Sequence, residues 1–168
     1  MKITAVETLR IPPFENLLWV LVETDEGVTG LGEACKAPGA VEAYIHEWCA
    51  PRIVGKDPSR IPERRADMDA YLGWGAAGVE TRAVSAIDIA LWDLVGRKLG
   101  LPVSRLMMGA GRTSLPAYAS SVLLDTPEAM AEVAGGLTED GFDAVKIKIA
   151  GDHETDTARL EAVRQASG

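Results

Sequence analysis

Residues 115–150, LPAYASSVLLDTPEAMAEVAGGLTEDGFDAVKIKIA, decide which architecture the chain builds. Leu115 to Ser120 reads as a strand. Thr126-Pro127-Glu128 is a helix start, a hydroxyl cap followed by proline in the first turn. That helix runs to Asp140-Gly141. Val145, Ile147 and Ile149 then alternate as a second strand, and Glu154 to Ala166 follows as a helix. Strand, helix, strand, helix is the unit of parallel α/β architecture.

Upstream the pattern differs. Ile3, Ala5, Glu7 and Leu9 alternate with Thr4, Val6 and Thr8 until Pro12-Pro13. LLWVLVET at 17–24 is a second apolar run, Asp25-Glu26-Gly27 a turn, and Thr29 to Glu33 a third strand, which together make an antiparallel meander. Val41, Tyr44, Ile45 and Trp48 then fall at helical spacing. Asp57-Pro58-Ser59 reads as the start of a helix through Ile61, Arg65, Met68 and Leu72. A third helix spans roughly Thr81 to Leu99. Its stripe is Val84, Ile87, Leu91, Leu94 and Val95, with Ala83, Ala86, Ile89, Ala90 and Trp92 on other faces, which predicts burial between layers. Asp93 and Arg97 are spaced to pair, and Gly100 and Pro102 close the helix. The expected order is an α+β domain over 1–112, then the opening of an α/β domain over 113–168. Two parallel strands leave both sheet edges open, which predicts a larger polypeptide or a complementing chain.

Composition narrows the function. The 168 residues are 47% hydrophobic and carry a net charge of −8, which excludes global disorder and disfavours nucleic acid as a partner. No apolar run reaches the roughly 18 residues of a membrane span, and no secretory signal opens the chain. Cys35 and Cys49 do not make a disulfide scaffold, which points to the cytoplasm. Gly73-Trp74-Gly75-Ala76-Ala77-Gly78 matches GxGxxG, but a charged helix rather than a buried strand precedes it, so it reads as a helix-to-helix loop. His46 and Cys49 with Cys35 fall short of a zinc ligand set and read as a half-buried helix face. A Cys-His nucleophile is equally unsupported, and neither GxSxG nor HExxH occurs.

Lys146-Ile147-Lys148 is the sharp signal. On a strand both lysines point one way, and Val145, Ile147 and Ile149 the other. In an α/β barrel the apolar set faces the helices, so the amines point inward. Two ammonium groups there need an anion to answer them, and burial with a like charge predicts a lysine of lowered pKa, suited to act as a general base. An exposed edge strand with both lysines in solvent would show the same pattern.

The longer stretches resolve more. AVSAIDIALWDLVGRK at 83–98, followed by Gly100, Pro102-Val103 and Leu106, closely resembles a signature of the mandelate racemase/muconate lactonizing branch of the enolase superfamily. So does ETDEGVTGLGEA at 23–34. Gly55-Lys56-Asp57-Pro58-Ser59 is similar to the acid-sugar dehydratase members. One departure is Met108 in Met107-Met108-Gly109, where the family usually has glycine; it bears on the local turn.

The resemblance implies an α+β capping domain, a three-stranded antiparallel meander with helices, followed by the first βαβα units of a (β/α)₇β TIM-like barrel, incomplete in this chain. It implies a Mg²⁺-dependent enzyme that abstracts the proton α to a substrate carboxylate, a sugar-acid dehydratase first. A racemase, epimerase or cycloisomerase of the same superfamily, or a truncated non-catalytic homologue, is the alternative. A Schiff-base aldolase is a further option, separable by borohydride trapping. By the resemblance Lys148 is the base, and Lys146 contacts the carboxylate. The substrate-covering loops fall at Pro12 to Asn16, with Phe14, Glu15 and Asn16, and at Cys35 to Gly39, with Cys35 and Lys36. The first is short, which suits a bulkier acid. The Mg²⁺ ligands belong to later barrel strands, so none is assigned here and the 168-residue chain is expected to be inactive alone. The complete enzyme is expected to be a homo-oligomer acting on a small carboxylic acid, without nucleic-acid or membrane partners.

Overall fold

A computed structural model describes residues 1–69, 77–109 and 111–168. It divides into two compact units, Met1–Gly111 and Arg112–Gly168.

In the first unit β1 (Ile3–Leu9), β2 (Leu17–Thr24) and β3 (Thr29–Cys35) form an antiparallel sheet in that order. Gly27, at φ 74°, makes the β2–β3 turn, and Thr24 closes it by donating its hydroxyl to the Val28 carbonyl at 2.7 Å. The period-two pattern sends Leu18, Val20 and Val22 to one face, opposite Ala34, Gly32 and Gly30 of β3. β1 departs from simple alternation. A register shift between Ile3 and Ala5 brings Ile3 and Val6 to the same buried side, where uninterrupted pleating would separate them.

Helix α4 (Val79–Leu99) lies against β3 and β2, and the two strand glycines decide how closely. A Cβ on Gly32 would sit 2.9 Å from the Ala86 carbonyl carbon and 3.0 Å from the Ala90 nitrogen, overlapping the Ala86 oxygen. One on Gly30 would meet Leu94 Cβ at 2.6 Å and overlap the Ala90 oxygen. Helix backbone therefore rests on strand backbone, and Ala83, Ala86, Ile87, Ala90, Leu91 and Leu94 are fully buried. Asp93 locks the seam. One of its carboxylate oxygens accepts from the Leu31 amide at 2.8 Å and from Arg97 Nε at 2.7 Å, satisfying an edge-strand donor as well as the expected ion pair. Ile89 is exposed, so the helix is buried on fewer faces than its composition suggests. Gly100, at φ 65°, ends it.

Between sheet and α4 runs a helical segment with a wide turn at its centre. α1 (Pro38–Tyr44) passes through a π-helical turn (Ile45–Cys49) into α2 (Ala50–Ile53). Val41, Ile45, Cys49 and Ile53, spaced by four, are all fully buried. In a regular α-helix each four-residue step drifts by about 40°, which would carry Ile53 off the face. The wider turn absorbs that drift. Pro51 supplies a cause, since it has no N–H for the Glu47 carbonyl and its ring crowds that oxygen. Trp48 Nε1 donates to the Met68 carbonyl at 3.1 Å, and the Arg52 guanidinium stacks on its ring.

α3 is Ile61–Met68, beginning later than the sequence suggested. Asp57 accepts from the Ser59 amide at 2.9 Å and hydroxyl at 2.8 Å, a closed turn that holds residues 57–59 out of the helix. Buried Arg64 bonds Asp67 at 2.7 Å and the Asp57 carbonyl at 3.0 Å, while Lys56 pairs with Asp67 at 2.8 Å. Leu72 and Gly73 to Ala76 of the glycine-rich stretch lie outside the described residues; Gly78 is the N-cap of α4. α5 (Val103–Met108) ends on Gly109 at φ 61°, so the turn forms with Met108 as the last helical residue, its side chain in solvent.

The second unit holds β4 (Ala119–Val122), α6 (Pro127–Glu139), β5 (Val145–Ile147) and α7 (His153–Ser167), with the strands parallel. Strand β4 starts later than Leu115. Pro116 has no N–H for a ladder, Leu115 is exposed, and the first bond runs from the Ala119 amide to the Ala144 carbonyl at 2.9 Å. Thr126 caps α6 by accepting from the Ala129 amide, and Asp152 caps α7 by accepting from the Thr155 amide. The core is small: Val122, Met130, Ala134 and Val163, with Leu137, Val145 and Ile147 against it. Among the described residues no helix is long and apolar enough to cross a membrane.

Candidate functional site

In the second unit, β5 sorts its side chains by face. Val145 and Ile147 pack into the α6–α7 core, and Lys146 and Lys148 are exposed on alternate positions. Lys146 Nζ lies 5.6 Å from the centre of the Tyr118 ring. Ile149 departs from the expected apolar set, with 63% of its surface open to solvent. The ladder with β4 ends at the Val122–Ile147 pair, so Lys148 and Ile149 have already left the strand.

Just past them stands a feature that the K-x-K pattern does not announce. The Asp156 carboxylate is buried and accepts from the Ala150 amide at 3.1 Å and the Gly151 amide at 2.7 Å. Arg159 Nη1 bonds the same carboxylate at 3.0 Å, and its Nε reaches the Asp125 carbonyl at 2.8 Å, in the loop that follows β4. The Ala150 amide holds the Asp156 carboxyl below the usual range despite the opposing effect of burial, aided by the Gly151 amide and Arg159. The only sequence hint was an acid and an arginine three apart in the first turns of a helix.

In the first unit, the two loops expected to cover substrate sit at one end of the sheet. Pro12–Phe14 forms a 3-10 turn, and Phe14 packs edge-on against Trp19 at 5.8 Å, while Glu15 and Asn16 are exposed. The Lys36 amide donates to the Asn16 carbonyl at 2.9 Å, joining the loops. Cys35 is the last residue of β3 rather than free loop, and its carbonyl accepts from Arg82 Nη1 at 2.9 Å. Lys36 and Ala37 then take φ of 66° and 50°, left-handed positions that cost non-glycine residues about 1–2 kcal/mol each. Two such residues in succession mark a loop whose shape is enforced by its surroundings. Thr8 meets both Glu42 Oε1 at 2.9 Å and His46 Nε2 at 2.8 Å, which places His46 in a surface network with Arg10. Cys49 is fully buried, and burial pushes its thiol up to about 12. Among the described residues no group of three or more His, Cys, Asp and Glu side chains could hold a metal ion.

Comparison with known proteins now bears on this geometry. Residues 4–109 match the model of the mandelate racemase/muconate lactonizing enzyme N-terminal domain. The chain belongs to that family. It is 34% identical to a D-galactonate dehydratase family member of Pseudarthrobacter chlorophenolicus, over all of this chain and 41% of the relative. It is also 34% identical to a D-galactarolactone cycloisomerase of Agrobacterium fabrum, over all of this chain and 49% of the relative. The crystal structure of an enolase of the mandelate racemase subgroup from Agrobacterium tumefaciens superposes with a TM-score of 0.86 at 39% identity, covering all of this chain and 48% of that one. The chain thus spans under half the length of these proteins. Its meander with helices, followed by a partial parallel sheet, is the fold of the enolase superfamily's N-terminal half.

Proposed function

We propose that the chain is the capping unit and first barrel staves of an enolizing enzyme that removes the proton α to the carboxylate of a sugar acid, with Lys148 as the base. The observation that carries this reading is the sorting of β5: Val145 and Ile147 pack against the helices, while Lys146 and Lys148, on the alternate positions, do not. Lys146 is the neighbouring cation that answers the substrate carboxylate beside Lys148. Loops 12–16 and 35–39 supply Phe14, Glu15, Asn16, Cys35 and Lys36 to cover the substrate.

Enzymes of this family, by the resemblance, use Mg²⁺ to stabilise the charge left when the proton departs. The described residues offer no cluster to hold it, so no step is assigned through a metal here; the ligands implied by the resemblance lie on later strands. The 168 residues alone are accordingly inactive in this reading, and the working enzyme is a cytoplasmic homo-oligomer.

The test is Lys148→Met in the full-length protein with Mg²⁺ and D-galactonate or related aldonic acids in D₂O, following loss of the α-proton signal. Exchange falls at least about a hundredfold if Lys148 is the base. Exchange at the unaltered rate in a folded variant refutes the assignment. Similarity to a cycloisomerase favours a second reading, in which the same abstraction ends in isomerisation. A 2-keto-3-deoxy acid product identifies the dehydratase, and an isomer of unchanged mass the alternative.

A further inference from the structure

We infer that Asp156 and Arg159 are positioning residues for Lys148, a latch that fixes the backbone just beyond the proposed base and ties the loops after β4 and β5 together. This rests on the reading of Lys148 given above. Strand pairing fixes Ile147 through its partner Val122 but stops one residue short of Lys148. The next fixed points along the chain are the Ala150 and Gly151 amides, both held by Asp156, with Gly151 turning the chain at φ 90°. Lys148 is therefore suspended between a ladder on one side and a carboxylate on the other.

The latch does not serve another evident need. Capping of α7 is already done by Asp152 on the Thr155 amide. Yet the Asp156 and Arg159 side chains are largely withdrawn from water, with 10% and 13% of their surface exposed. Beyond their bond to each other, the pair's bonds go to two loops that follow parallel strands, and so fix the position of those loops. A base displaced by about 1 Å loses roughly a hundredfold in rate, so such a fixture has a catalytic consequence.

The test uses the full-length protein with lysines reductively dimethylated by ¹³C-formaldehyde, and the Lys148 resonance is identified by its loss in K148M. In D156N and R159Q the Lys148 methyl resonance shifts or broadens while those of distant lysines stay fixed, and R159K lies between R159Q and the wild type. In the unmodified proteins, with the aldonic acid exchanged fastest by the wild type, kcat for α-proton exchange drops about tenfold to a hundredfold in the latch variants and KM stays within about threefold. Should D156N fail to fold, R159Q carries the same measurement. An unmoved Lys148 resonance in a folded latch variant overturns the inference, even if the melting temperature falls. Loss of exchange in K148M beside unmoved latch variants strikes at the latch alone; exchange surviving K148M strikes at the base, and the latch falls with it.

Discussion

Replacing Gly32 by alanine tests the claim that helix α4 rests on bare strand backbone. The added methyl would overlap the Ala86 carbonyl oxygen and crowd the Ala90 nitrogen at 3.0 Å. Neither neighbour is a side chain that can rotate away. The helix must lift, opening gaps around Leu18, Val20, Ile87 and Leu91, which are now fully buried. Overpacking ordinarily costs about 1–3 kcal/mol, and a backbone neighbour puts this site at the top of that range. Against it stands a gain of about 0.4–1 kcal/mol from stiffening the unfolded chain. The net loss is about 2–2.5 kcal/mol. Equilibrium urea unfolding followed by tryptophan fluorescence reads it, because all four tryptophans lie within the first 111 residues. Gly39→Ala is the companion measurement. Gly39 sits within α1 with only Arg10 Nη1 at 3.6 Å, so alanine there is neutral or stabilising by about 0.5–1 kcal/mol. Equal stabilities for G32A and G39A, with unchanged m-values, would refute the close-approach argument.

Thiol chemistry gives a second test. Cys35 is exposed, and Cys49 is buried with its thiol pushed up to about 12, so one of the two reacts promptly with a disulfide reagent at about pH 8 and the other only after unfolding. Two fast thiols would contradict the packing of the π turn. Acid supplies a third test. Ser59 donors hold Asp57 low, Lys56 and Arg64 hold Asp67 low against its burial, Thr155 holds Asp152 low, and the Ala150 amide holds Asp156 low. A depressed folded-state pKa means that the unfolded chain binds protons more readily, so this stabilisation is complete above the ordinary aspartate value of about 3.9 and is lost as pH falls through the folded values. The urea midpoint should drop below about pH 4, and a midpoint unchanged down to about pH 2.5 would oppose the assignment.

Most elements of both units were legible where periodicity and turn chemistry agreed; α5 was not among those expected, and α3 and β4 begin later than their patterns suggested. Leu18, Val20 and Val22 alternate into the core, Thr126-Pro127 caps its helix, and the Gly30-Leu31-Gly32 spacing marks a flat strand. What escaped the sequence depends on partners distant along the chain. The β1 register shift follows from pairing with β2, and Asp93 gains the Leu31 amide only when helix meets sheet. Ile149 alternates in sequence but lies beyond the last ladder pair, so its side chain gains no cover. Asp57-Pro58-Ser59 looked like a cap because the same donors serve a closed turn equally well. At the site, the Lys146 and Lys148 pattern was visible, whereas Asp156 was not, since two of its partners are main-chain amides whose presence the sequence does not mark.

The π turn at Ile45–Cys49 makes the length of that segment a structural variable in its own right. Removing one residue there would restore regular winding and leave every later position on nearly its present face, because the wide turn already absorbs the extra residue. Ile53 would stay in the interior with Val41, whereas adding a residue outside the wide turn would carry it off the face. Related chains that lack one residue here are therefore expected to wind regularly and keep the same inward face, and an alignment that places the gap elsewhere would pair side chains that occupy different environments.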